Sequence, residues 1–191
     1  MNRHEALDIW KQYNSEDHLL RHALAVEGAM RAYAKKYDQD VELWGLCGLL
    51  HDIDFEKYPD EHPNKGVEIL HKLGLEPELI QAVKEHAIET ENRDSLLSKA
   101  LYACDEMASF VIAVGFVRPE GLQGMKPSSV KKKMKNKQFA AKVDREQLEK
   151  SAQDLQVELS DHIQTIIDGL QEQQKRVQEL DGFELLSHTN K

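Results

Sequence analysis

Residues 43–52 read Leu43-Trp44-Gly45-Leu46-Cys47-Gly48-Leu49-Leu50-His51-Asp52. An uncharged, mostly apolar run leads straight into a histidine and an aspartate. A run that is apolar on every face fits a buried helix better than a surface one. The two polar side chains that close it are costly to bury unless they are paired or coordinated. The rest of the chain is therefore read as a scaffold that brings partners to His51 and Asp52.

Upstream, residues 4–14 predict a short helix with Ala6, Leu7, Ile9, Trp10 and Tyr13 toward a partner surface. Ser15 or Asp17 is the expected cap of a second helix running to about Tyr37. Its apolar positions, Leu19, Ala23, Val26, Met30 and Tyr33, recur at helical spacing, and His22 sits one position off that stripe. Asp38-Gln39-Asp40 reads as a turn into the helix that ends at His51-Asp52.

Downstream comes a polar loop, Asp54 to Glu61, and then His62 before Pro63, which favours a first helical turn. That helix carries Val67, Ile69, Leu70 and Leu73 and stops at Gly74. Pro77 opens another, with Leu79, Ile80 and Val83 leading to His86 and Ala87. A polar loop over residues 88–95 precedes a long helix from about Ser95 to Gly115, which holds Asp105 among Ala and Leu residues. No hairpin signal and no repeat occur. The expected class is all-α, with five core helices and a C-terminal helical extension.

After Arg118-Pro119 the composition changes. Residues 121–143 contain no acidic residue and seven lysines, Lys126, Lys131, Lys132, Lys133, Lys135, Lys137 and Lys142. The chain is accordingly divided into a core unit at 1–125, a lysine-rich loop flanking the site at 126–143, and an amphipathic extension at 144–180. Residues 181–191 are read as a tail. The extension has apolar residues at 148, 152, 155, 159, 163, 166, 170, 177 and 180. These fit a helix or helix pair packed on the core, or a contact between two copies in a homodimer.

The 191 residues suffice for one domain with a real core, at 40% hydrophobic and 31% charged. A net charge of −9 argues against general nucleic-acid binding. Cys47 and Cys104 lie in apolar stretches and read as buried thiols. Nothing approaches the ~18 consecutive apolar residues of a membrane span, and the first residues form no apolar signal region. A cytoplasmic protein is the expectation.

Around His51 and Asp52 the candidate metal ligands are His22, His62, His86 and Asp105. Taken singly, a histidine at the edge of an apolar face is more often structural. Asp105 inside an Ala/Leu-rich helix is harder to dismiss, because a buried unpaired carboxylate costs several kcal/mol. His4, His18, His71, His162 and His188 read as surface positions. Imidazole nitrogen and carboxylate oxygen suit one or two divalent ions, among Mn, Fe, Co, Ni, Mg and Zn. A carboxylate can bridge two ions, which makes Asp52 the natural centre of a pair.

The order of these residues resembles the H…HD…D pattern of the HD-domain superfamily of metal-dependent phosphohydrolases. Leu20-Arg21-His22-Ala23-Leu24-Ala25-Val26 is similar to its first motif, Leu49-Leu50-His51-Asp52-Ile53-Asp54 to its second, and Ala103-Cys104-Asp105-Glu106 to its last. The resemblance spans residues 17–116 and implies an all-helical bundle. It implies that His22, His51, Asp52 and Asp105 hold one ion. In branches with two added histidines it implies a second ion on Asp52, His62 and His86. The common form has Gly after the Ile, where this chain has Asp54.

The implied activity is hydrolysis of a phosphoester or phosphoanhydride in a small phosphate compound such as a nucleotide. Asp52 would be central to it, with Asp54 or Glu85 aiding proton transfer. Lys65, Lys126, Lys131, Lys132 and Lys135 would contact phosphate as point charges. Relatives with the same six ligands include diiron oxygenases, which are the alternative chemistry. A non-catalytic metal- or nucleotide-binding module is a third reading.

Overall fold

Helix starts and stops follow from capping chemistry in most of the chain. The computed structural model describes residues 1–87 and 92–187. Within them α1 (Arg3–Tyr13) opens on a capping box in which Asn2 and Glu5 exchange hydrogen bonds. The second helix, α2 (Asp17–Lys36), is not capped by Ser15 or Asp17. Instead the Glu56 carboxylate, from the loop after Asp52, accepts from the Ser15 N–H at 2.7 Å, the Glu16 N–H at 3.2 Å and the Ser15 hydroxyl at 2.7 Å. Asp40 caps α3 (Val41–Leu50) by accepting from the N–H groups of Glu42 and Leu43.

A short 3-10 turn, Pro59–Glu61, leads to α4 (Asn64–Lys72) and α5 (Pro77–Glu85). Ser95 caps α6 (Leu96–Phe116). Then come α7 (Pro127–Met134), α8 (Arg145–Asp154) and α9 (Leu159–Asp181). The described residues are all-helical, with no strand. None of these helices is long and apolar enough to cross a membrane.

The centre is α2, which packs on α3, α6 and α9. The α2–α3 contact is close because Gly48 has no side chain. A Cβ there would lie 2.8 Å from the Val26 carbonyl carbon and oxygen. Trp44, Leu46, Cys47, Leu49 and Leu50 on α3 are all buried, which accounts for the apolar run. Each fully buried Leu contributes about 1.5–3 kcal/mol.

The C-terminal region corrects one expectation. Residues 126–143 are not simply a loop, since 127–134 form α7. Pro127 starts the helix and Val130 and Met134, one turn apart, bury its inner face. The lysine density hides that short apolar pair. Of the two forms expected for the 144–180 stretch, a helix or a helix pair, the structure has the pair, broken after Leu155, where Gln156 adopts a left-handed backbone with φ of 59°.

The second of these helices, α9, shares the central core. Ile163, Ile166, Ile167, Leu170 and Val177 are fully buried. Buried Glu27 of α2 accepts from Arg3 at 2.7 Å, Arg31 at 2.9 Å and Gln173 of α9 at 2.8 Å. The buried carboxylate is thereby paired on both oxygens, which its desolvation requires.

His162, read as a surface residue, is fully buried. Its Nε2 donates to the Ala103 carbonyl at 3.0 Å and its Nδ1 accepts from the Tyr33 hydroxyl at 2.5 Å. Burial pushes its pKa down to about 4, against a smaller upward pull from the Ala103 carbonyl. Cys47 and Cys104 are buried free thiols. His188 and residues 188–191 of the expected tail lie outside the described residues, as does the 88–91 part of the expected loop.

Candidate metal centre

The α3 helix ends at Leu50, but His51 keeps helical dihedrals of −57° and −36°. Tight turns follow, closed by Ile53 N–H to the Leu50 carbonyl and Phe55 N–H to the Asp52 carbonyl, both at 3.1 Å. Asn14, at the end of α1, donates to the Ile53 carbonyl at 2.9 Å and holds this turn against the core. The helix end lets the adjacent His51 and Asp52 face a common point, which they could not do about 100° apart on an ideal helix.

Four histidines converge there, each tied at Nδ1 and presenting Nε2. The His51 Nδ1 donates to the Gly48 carbonyl at 2.8 Å, and the His86 Nδ1 to the Val83 carbonyl at 2.5 Å. The His62 Nδ1 donates to Asp54 at 2.8 Å, and the His22 Nδ1 is hydrogen-bonded to the Ser109 hydroxyl at 2.7 Å. A carbonyl or carboxylate partner at Nδ1 fixes the tautomer and leaves the Nε2 lone pair for a metal.

The two oxygens of Asp52 face different histidines. Its Oδ2 lies 3.3 Å from the Nε2 of both His22 and His51. Its Oδ1 lies 3.3 Å from His86 Nε2 and 3.5 Å from His62 Nε2. Asp105, from α6, stands 3.1 Å from His22 and 3.5 Å from His51. Among the described residues, the groups of three or more close enough to hold an ion are His22, His51 and Asp105, and His51, Asp52 and His86.

Electrostatics agree with a cation-binding role. The Nε2 atoms of His22 and His51 are 3.1 Å apart, so with no metal between them the pair must hold a proton. Burial pulls the His22 pKa down, but hydrogen bonds to Asp105 and Asp52 outweigh it and bring it up to about 9. His51 is likewise held well above its ordinary value, against burial, chiefly by Asp52. Burial opposes ionisation of Asp52 and Asp105, and the histidines beside them override it and hold both carboxyls low. The donor set, with every Nδ1 anchored, fits one or more divalent cations.

Structure and sequence differ on the accessory groups. Asp54 is fully buried and spends its oxygens on His62 and on the Gly66 N–H, at 2.6 Å. It positions His62, a candidate ligand, and is too buried to meet a substrate. Glu85 is buried, accepts from Gln81 and does not line the cleft. Lys65 pairs with Glu68 at 3.0 Å and Glu61 at 3.9 Å on the surface. Lys126, Lys131, Lys132 and Lys135 are exposed, and Lys131 bonds Ser160 of α9. None of the five lysines lines the cleft over the centre. A charge run takes the solvated side of whichever helix carries it, and here that side does not line the cleft.

The cleft encloses about 610 Å³ and includes residues that the sequence did not single out. Leu19, Phe55 and Ala87 form apolar wall, and His18, Glu106, Ser109 and Gln147 add polar groups. Phe55 meets the His62 ring edge-on, with centroids 5.3 Å apart. Burial and the neighbouring Asp105 push the Glu106 carboxyl up. Ser109 stands one helical turn past Asp105, so helical spacing could have found it. Gln147 comes from α8 and carries no local signal. Clefts of about 650 Å³ near Arg118 and about 720 Å³ near Asp144 lack any such convergence of ligands.

Residues 19–110 match the family model of the HD domain. The chain is 39% identical over 92 residues to an uncharacterized protein of Methanocaldococcus jannaschii, covering 45% of this chain and 54% of that one. It is 31% identical over 81 residues to a protein of Thermoplasma volcanium named tRNA (cytidine(56)-2'-O)-methyltransferase, covering 42% of this chain and 24% of that one. The chain thus spans about half or less of the curated relatives it matches. No solved structure matches it.

Proposed function

Residues 19–110 of this chain form an HD domain, and we propose that the protein is a metal-dependent phosphohydrolase acting on a small phosphate compound. The observation that carries this reading is the set of four histidines anchored at Nδ1 and aimed through Nε2 at the two oxygens of Asp52.

His22, His51, Asp52 and Asp105 would hold one ion, and Asp52, His62 and His86 a second. When bound, such ions supply Lewis acidity that brings the pKa of water toward neutrality and offsets charge on phosphoryl oxygens. The protein's own part is preorganisation. Gly48, Val83, Asp54 and Ser109 fix the four rings before any ligand arrives, so the site is not reorganised during reaction. Leu19, Phe55 and Ala87 make one wall apolar. Glu106 also lines the cleft, a carboxyl outside the ligand set that can exchange a hydrogen bond with a substrate hydroxyl.

The test is phosphate release from a panel of phosphoesters and nucleotides by protein loaded in turn with Mn, Mg, Co, Ni and Fe. Turnover that disappears together with bound metal in Asp52→Ala supports the reading. The same donors suit iron. Iron-dependent O₂ consumption without phosphate release would replace the hydrolase with a diiron oxygenase, and metal or nucleotide binding without either reaction would leave a non-catalytic module.

A further inference from the structure

The cleft over the metal centre has a peculiar charge balance. Among the described residues no lysine or arginine lines it. Its carboxyl groups are Asp52 and Asp105, which belong to the candidate ligand set together with the cleft histidines His22, His62 and His86, and Glu106, which lies outside that set. The nearby cations are committed elsewhere. Arg21, in a small adjoining hollow, donates to the carbonyls of Leu185 at 2.9 Å and Ser187 at 3.3 Å. Lys57 donates to the Gln12 carbonyl at 2.6 Å. The cleft beyond Gln147 is of mixed charge. Its lining sets Asp94, Asp144, Glu146 and Asp154 against Arg93, Lys99 and Lys150, four acidic side chains to three basic.

A phosphate chain with three or four negative charges is held elsewhere by lysine, arginine or backbone cradles in addition to metal. Here only the metal ions could balance such charge, since no lysine or arginine among the described residues of the wall adds to them. A single phosphate needs no more than the ions themselves. The rest of the lining suits an uncharged body. Phe55 is 44% exposed although it is a large aromatic, and it stands at the cleft beside Leu19 and Ala87. Exposed apolar surface in a binding cleft marks where a ligand's own apolar face is received. Gln147 and Glu106 supply hydrogen-bonding partners for polar edges of the same body.

We infer that the ligand of this cleft is a phosphate monoester with an uncharged, ring-bearing body laid against Phe55, and that polyphosphates are excluded by the lack of cations on the wall. This deepens the phosphohydrolase reading and rests on it for the placement of the phosphate at the metal centre.

Equilibrium binding tests it apart from turnover. Calorimetry on Mn-loaded protein in excess Mn compares a nucleoside 5′-monophosphate, the matching triphosphate and glycerol phosphate at constant ionic strength. The monophosphate is expected to bind at least about ten-fold tighter than the triphosphate. Phe55→Ala should weaken the monophosphate about ten-fold and leave glycerol phosphate unchanged, since only the ring is lost as a contact. Gln147→Lys, which adds an ammonium to the wall, should narrow the preference against triphosphate.

A triphosphate bound as tightly as the monophosphate overturns the inference. So does a Phe55→Ala variant that binds the monophosphate normally or loses both esters alike, and so does failure of all three to bind. The expected preference without any phosphate release would retire the hydrolase reading and leave the ligand class standing.

Discussion

Asp54 and His62 share a 2.8 Å hydrogen bond in the turn region after α3, and the Asp54 carboxylate is wholly buried. Its second oxygen accepts the Gly66 N–H at 2.6 Å, which ties the turn to the first residues of α4. The residue that departs from the common family motif is thus the one that sets the orientation of a candidate ligand. Asp54→Asn keeps the shape and removes the charge. It should weaken metal binding on the His62–His86 side by about 10–100-fold, with a smaller effect on the His22–His51–Asp105 side. Titration against a competing chelator reads the two sites, and equal losses at both would contradict this role.

Gly48 couples packing to the centre. Its missing Cβ lets α3 approach the Val26 carbonyl, and its own carbonyl holds His51. Gly48→Ala should destabilise the fold by about 1–3 kcal/mol, as overpacking against backbone does, and should reduce metal affinity as well. Urea denaturation and metal titration measure the two effects; a variant of unchanged stability would refute the close contact.

His162 predicts a pH effect away from the centre. Its folded-state pKa of about 4 lies below the ordinary 6.5. Above 6.5 it is neutral both folded and unfolded and contributes no pH dependence. Between 6.5 and 4 the unfolded chain takes a proton that the folded chain refuses, so stability falls as pH falls. The gap corresponds to about 3 kcal/mol at its full extent. His162→Gln should flatten the stability–pH curve in that window, and a slope equal to that of the natural protein would exclude the effect.

Metal uptake should expel protons. With its pKa raised to about 9 in the metal-free chain, His22 is an imidazolium at pH 7, and its Nε2 must lose that proton to bind an ion. Metal affinity should therefore rise as pH increases toward 9. Calorimetry in buffers of different ionisation enthalpy counts the protons released, and a count of zero at pH 7 would show that His22 is already neutral in the metal-free chain.

What could be read from sequence depended on range. His51, Asp52, His62 and His86 lie at helix ends or starts that Gly, Pro and apolar spacing mark locally, and His22 and Asp105 sit within long periodic helices. The structure brings these six together. The lysines of 126–137 misled because their count said nothing about which way α7 would face. His162 looked exposed because its neighbours Asp161 and Gln164 are polar, while the partners that bury it, Tyr33 and Ala103, are 129 and 59 positions away. Gln147 reaches the cleft only through the packing of α8 on α6. Such long-range partners leave no local trace.

The most direct test is the metal content of protein purified without added metal, measured by elemental analysis beside Asp52→Ala. Nearly two ions per chain in the natural protein, falling to below one in a folded Asp52→Ala variant, is the predicted result. A folded natural protein that binds no divalent ion, or an Asp52→Ala variant that keeps its full complement, would contradict it.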